Sequence, residues 1–140
     1  MKLEDLKIYQ LAHQIAVEIH KMSLELPSFE RYEEGSQIRR SSKSVSSQIA
    51  EGYSLRNYKN EYLHYLSRAY ASNRETKEHL DYLFETGSLR DRNLYEKLSS
   101  DITELSKMLY SFIESVSKNH KLPKTKSACS SPISHLPSEQ

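Results

Sequence analysis

Residues 28 to 122 of this chain contain no proline, and only three glycines, at 35, 52 and 87, occur in all 140 residues. Proline removes a backbone donor and clashes with the preceding turn, while glycine loses the most conformational freedom on ordering, so a segment nearly free of both favours helix. The apolar residues supply the period. Ile8, Leu11, Ile15, Ile19, Met22 and Leu26 follow steps of three and four, which puts them on one stripe of a first helix over residues 5–25. Pro27 stops it. A second stripe, Ile38, Ser42, Val45, Ile49 and Gly52, has small members and predicts a helix that approaches its neighbours closely. The third joins Tyr62, Leu66, Ala69, Asn73, Thr76, Leu80 and Leu83, with Asn57 as its expected cap and Gly87 suited to the left-handed position past its end. The fourth joins Leu94, Leu98, Ile102, Leu105, Leu109, Phe112 and Val116, with Asp91 as its cap.

No segment alternates apolar and polar residues between Asn-Gly or Asp-Gly turns, so no sheet is expected. The fold class that follows is all-α. Four helices with short connections favour an up-down-up-down antiparallel four-helix bundle over residues 1–122, where each stripe is buried by the other three. Beyond Leu122 the sequence PKTKSACSSPISHLPSEQ has no periodic apolar face. Ordering it would cost about 1–2 kcal/mol per residue without return, and residues 123–140 are expected to be a flexible Ser/Pro-rich tail.

Lys and Arg number 20 against 19 Asp and Glu, leaving a net charge of +1. No apolar run approaches the roughly 20 residues needed to cross a bilayer, which argues against an integral membrane protein and a membrane partner. The single Cys129 excludes an intramolecular disulfide framework and a zinc ribbon. The opening MKLEDLKIYQ carries acids early and does not read as a secretory signal, so a cytoplasmic location is expected.

Catalytic chemistry finds little support. A diiron bundle needs two Glu-x-x-His units and two further inward glutamates, whereas only Glu61-Asn-Tyr-His64 is present and His64 falls nearly opposite the third stripe. Glu75 with His79, and His13 with His20, read as solvated helix faces. There is no Gly-x-Ser-x-Gly elbow and no glycine-rich phosphate loop. The serines of SSKSVSS, residues 41–47, lack a positioned base and read as close-packing residues. No catalytic residue, metal or cofactor is expected, and the chain reads as a non-enzyme.

The strongest local pattern is QIRRSSKSVSSQIAEGY, residues 37–53. With Ile38 at zero, Val45, Ile49 and Gly52 fall within about 40° of it, and Arg39, Lys43 and Arg40 fall at about 100°, 140° and 200°. These cations are expected to face outward. With Arg56 and Lys59 they form a basic strip fit to meet the phosphates of RNA or DNA, Glu51 being the only acid among them. The alternative is that the same cations pair with acids on neighbouring helices or subunits. Near-neutral charge weakens nucleic-acid binding by one chain, so assembly into a homo-oligomer is needed to accumulate positive potential. Six of ten tyrosines lie between 53 and 82. Tyr62 falls on the third stripe, and with Tyr53, Tyr58, Tyr65 and Tyr70 it is assigned to seams between helices or subunits, base stacking being the alternative.

Asp5-Leu6-Lys7-Ile8-Tyr9, Leu26-Pro27, Gln37-Ile38-Arg39-Arg40-Ser41, Val45, Ile49-Ala50-Glu51-Gly52-Tyr53 and Lys59-x-Glu61-Tyr62-Leu63 together resemble a family. It is that of the four-helix-bundle proteins named for reading frames in intervening sequences of 23S rRNA genes, and the resemblance spans residues 4–118. It implies a bacterial homopentamer of unknown function. It also implies a distant kinship with accessory proteins of diversity-generating retroelements, which engage nucleic acid and a reverse transcriptase. Catalysis is not implied. The functional expectation is an RNA- or DNA-associated scaffold or adaptor, with a protein-protein interaction module as the alternative.

Overall fold

The computed structural model describes residues 1–119; the expected tail, with Leu122 and Cys129, lies outside them. A 3-10 turn, Leu3–Asp5, leads into α1, Lys7–Ser23. A single helical turn α2, Ser28–Arg31, precedes three long helices: α3, Glu34–Ser54; α4, Lys59–Glu85; and α5, Arg92–Asn119. No strand occurs among the described residues.

The contacts fix the topology. Ser41 meets Thr76 (Oγ to Oγ1, 2.8 Å) and Ser72 donates to Gln48 (3.0 Å), so α3 and α4 run antiparallel. Arg39 reaches Ser23, Lys43 reaches His20 and Tyr53 reaches Met1, so α1 and α3 do too. Tyr95 donates to Asp81 and the Tyr62 and Phe112 rings meet edge to face, which sets α5 against α4. Lys97 of α5 bonds Glu18 of α1 and closes the up-down-up-down ring.

All seven residues of the third stripe are buried, as are the five of the second. On α5, Leu94 and Phe112 are only partly buried, and Ile113, off the expected stripe, joins the core. The small second stripe permits the close packing it predicts: a Cβ on Gly52 would stand 3.0 Å from the Cβ of Tyr65. Buried Asn73 donates to Ile102 O and Ser106 Oγ, both at 2.9 Å, and pins the register of α4 on α5.

The ends show both agreement and correction. Asp91 caps α5, its carboxylate accepting from the Leu94 amide at 3.0 Å, and Gly87 holds φ +89° after α4. Asn57 is not the cap of α4: it lies in the turn closed by Tyr58 N on Leu55 O, and extended Tyr58 takes the N-cap position without a side-chain bond. The first helix is shorter than expected, ending at Ser23, because the chain turns before Pro27 and makes the extra turn α2.

Candidate nucleic-acid interface

The five cations of the expected strip divide among different tasks. Arg39 is the correction. At about 100° from Ile38 it lies on the seam with α1, where its guanidinium is half-buried and donates to Ser23 Oγ (2.9 Å) and Arg31 O (3.0 Å). It ties α3 to α1 and α2 rather than standing in solvent. Arg56 lies over the Tyr53 ring, 4.1 Å from its centroid, and donates to the Tyr53 carbonyl. Lys59 is partly buried at the start of α4, beyond the turn that ends α3. Arg40 and Lys43 remain exposed on one face of α3.

That face continues onto α1, a neighbour the wheel of one helix does not reveal. Lys43 Nζ lies 3.0 Å from His20 Nδ1. An ammonium has only donors, so Nδ1 accepts and the ring carries its hydrogen on Nε2. On the same side stand exposed Lys21, His13 and Val17 from α1, Leu24 just after it, and Arg40 and Ser47 from α3. Two of the three acids of these helices are engaged on other faces, and the third, Glu51, is exposed on the same side of α3 as Arg40. Glu18, the only acid of α1, holds Lys97 of α5. Of the two in α3, Glu34 bonds His79 of α4 at 2.7 Å and Glu51 borders the face on its α4 side.

The opposite side carries ion pairs. Lys77 pairs with Asp81, Arg92 with Glu96, Lys97 with Glu18 and Asp101, and Lys118 with Glu114. Among the described residues, neither Arg40 nor Lys43 has a carboxylate partner. Lys77 of α4 and Arg92, Lys97 and Lys118 of α5 are thus paired, while Arg68 and Arg74 of α4 and Lys107 of α5 are exposed like Arg40 and Lys43. Sequence reasoning found Arg40 and Lys43; it placed His13 and His20 on a solvated face but missed the contact of His20 with Lys43, because that depends on which helix lies beside α3.

The tyrosines separate likewise. Of the two seams open to Tyr62, between helices or between subunits, the structure shows the first: it is 5% exposed and packed against Phe112 within its own chain. Burial, with the charge of Tyr53 adding to it, pushes its phenol up to about 12. Tyr53 is partly buried and donates to Met1 O at 2.8 Å. Tyr65 and Tyr70 are also partly buried, and Tyr58 is exposed.

Glu61 and His64 are both exposed on α4, and among the described residues no three His, Cys, Asp or Glu side chains gather as metal ligands. A groove of about 710 Å³ between the first turn of α1 and α5 is floored by Leu6, Ile8, Met108 and Phe112 and lined by no histidine or cysteine. No helix of the described residues is long and apolar enough to cross a membrane.

These features define an all-α, four-helix bundle. The chain belongs to the 23S rRNA-intervening sequence protein family, whose model matches residues 4–111. A solved structure from Bacteroides thetaiotaomicron, described as a protein with unknown function from the S23 ribosomal protein family, is similar at 25% identity and a TM-score of 0.68. The likeness covers 76% of this chain and 98% of that one. No curated protein matches. Neither the family nor the neighbour is described as an enzyme.

Proposed function

We propose that this protein is a non-enzymatic, homo-oligomeric bundle that acts as a scaffold or adaptor and binds the phosphates of RNA or DNA on the outer face of α1 and α3. One observation carries the reading: Arg40, Lys43 and Lys21 stand exposed on the adjoining outer faces of α1 and α3 without carboxylate partners among the described residues, with Glu51 the one exposed acid of these two helices. A phosphate backbone is the polymer that such a face attracts without a matching carboxylate partner. The family and the structural neighbour are named after ribosomal RNA and a ribosomal protein, which agrees with an RNA setting. Assembly supplies what one near-neutral chain lacks, by repeating the face around the oligomer.

Titration of labelled RNA with wild-type protein at rising salt tests this. Three phosphate contacts on a single strand give a log–log slope of about −2. Replacing Lys21, Arg40 and Lys43 together by Glu is expected to abolish binding while leaving the sedimentation coefficient unchanged. Unaltered binding overturns the assignment, and dissociation of an oligomer would reassign the face to subunit contact.

A further inference from the structure

The described histidines differ in what their ring nitrogens meet. His79 sets both against carboxylates, Nδ1 2.7 Å from Glu34 Oε1 and Nε2 3.4 Å from Glu75 Oε2. His13 and His64 lie exposed against the rings of Tyr9 and Tyr65. His20 is the one that meets a cation, with Lys43 Nζ 3.0 Å from its Nδ1.

That contact exists in one protonation state only. An ammonium has nothing but donors, so Nδ1 must keep its lone pair, and the neutral ring carries its single hydrogen on Nε2. No group among the described residues accepts that hydrogen, although the ring is partly buried at the α1–α3 seam. A second proton removes the acceptor and sets imidazolium against ammonium. The contact then breaks, Lys43 turns to solvent, and the ring adds its own positive charge beside it. Imidazole is the side chain whose ordinary titration spans the range between pH 5 and 8.

The surroundings hold no carboxylate placed to absorb the added charge. On or beside the seam stand Arg39, Arg40 and Lys43 of α3 and His13 and Lys21 of α1. Glu18 is held by Lys97 on the α5 side, Glu25 follows the end of α1, and Glu51 lies about 12 Å of helix rise past Lys43. Of the α2 turn, Arg31 is a further cation, its Nε on Leu26 O, and buried Glu30 accepts from Ser88 Oγ. The charge gained at His20 is therefore open to an anion from solution.

We infer that His20 is a further phosphate-binding residue of this face and the group that makes RNA binding depend on pH, its protonation releasing Lys43 and adding a second cation at the same point of the α1–α3 seam. The inference rests on the proposed nucleic-acid reading and adds a contact residue and the control of it. By reciprocity, phosphates favoured by the protonated ring favour its proton in turn, so binding takes up a proton where the imidazole titrates.

The test uses an oligouridylate, whose base gains no proton in this range, carrying a pH-insensitive dye, in anisotropy titrations of the full chain at about pH 5.5 and about pH 8. Binding at the lower pH is expected to be roughly fivefold tighter at about 0.1 M salt, with a log–log salt slope steeper by about 0.7, the increment of one further phosphate contact on a single strand. His20→Gln keeps an acceptor for Lys43 but takes no proton, and is expected to give a flat pH profile. His13→Gln should keep most of the gain. Nitrogen-detected NMR of the RNA-free protein is expected to show His20 protonated on Nε2 alone at the higher pH, and a mixture of tautomers in Lys43→Met. Binding that ignores pH, a gain that survives His20→Gln, or an equal loss in both glutamine variants overturns the inference and leaves the phosphate face standing. So does a His20 protonated on Nδ1 at the higher pH. A gain that accompanies a changed sedimentation coefficient belongs to assembly and also overturns it. Absence of binding at either pH overturns this inference and the proposed function together.

Discussion

Neighbouring arginines in one sequence block do opposite work. Arg39 and Arg40 differ by about 100° around α3, and that rotation takes one guanidinium into the α1 seam and leaves the other in water. Truncating Arg39 orphans the interactions it makes with Ser23 Oγ and Arg31 O, so Arg39→Ala is expected to lower stability by about 1–3 kcal/mol. Arg40→Ala should stay within about 0.5 kcal/mol. Urea unfolding of the two variants, followed by circular dichroism, makes the comparison; equal losses would remove the distinction. Tyr62 sets a second residue-scale expectation. Its phenol is raised from 10.0 to about 12, chiefly by burial. The folded state therefore keeps a proton that the unfolded chain releases from about pH 10, and this contribution to stability is full below pH 10 and is lost as pH rises towards 12. An ultraviolet phenolate step near pH 12 that disappears in Tyr62→Phe is the expected signature.

Among the elements, α3 carries most of the division of labour, because one side of it meets α1, another meets α4, and a third stays open. Its entry is tight. A Cβ on Gly35 would stand 2.9 Å from the backbone oxygen of Glu30, which belongs to α2 and cannot swing aside as a side chain could. Gly→Ala in an unencumbered helix gains about 0.5–1 kcal/mol; here overpacking reverses the sign, and Gly35→Ala is expected to destabilise by about 1–3 kcal/mol in thermal unfolding. A rise in melting temperature would show that α2 yields freely. The α4–α5 pair depends on Asn73 in a comparable way, since a buried amide bonded to Ile102 O and Ser106 Oγ favours one axial register over its neighbours.

For the molecule as a whole, the net charge is +1. Ion pairs hold Arg92, Lys97 and Lys118 of α5, while Arg40 and Lys43 of α3 have no carboxylate partner among the described residues. The Lys21, Arg40 and Lys43 reversal that should abolish RNA binding is expected to change the melting temperature little, since all three side chains are exposed and no core contact is lost. A large fall would tie these residues to the fold.

The helices were legible in the sequence because their signals are local: apolar spacing, the Asp91 cap and the left-handed Gly87 are properties of a few adjacent residues. Even the buried polar positions Ser42, Asn73 and Thr76 could be placed on their stripes. The exposed rings at α2 could not be found that way. Phe29 and Tyr32 belong to no long periodic segment, and their exposure depends on how α2 folds over the chain turn. Periodicity states the angle of each side chain about its own axis and thereby determined the four-helix core. Only the packing of the bundle decided what occupies each angle from outside, which is why it took tertiary structure to draw Arg39 inward, bury Tyr62 in its own chain and join Lys43 to His20 across a cationic face.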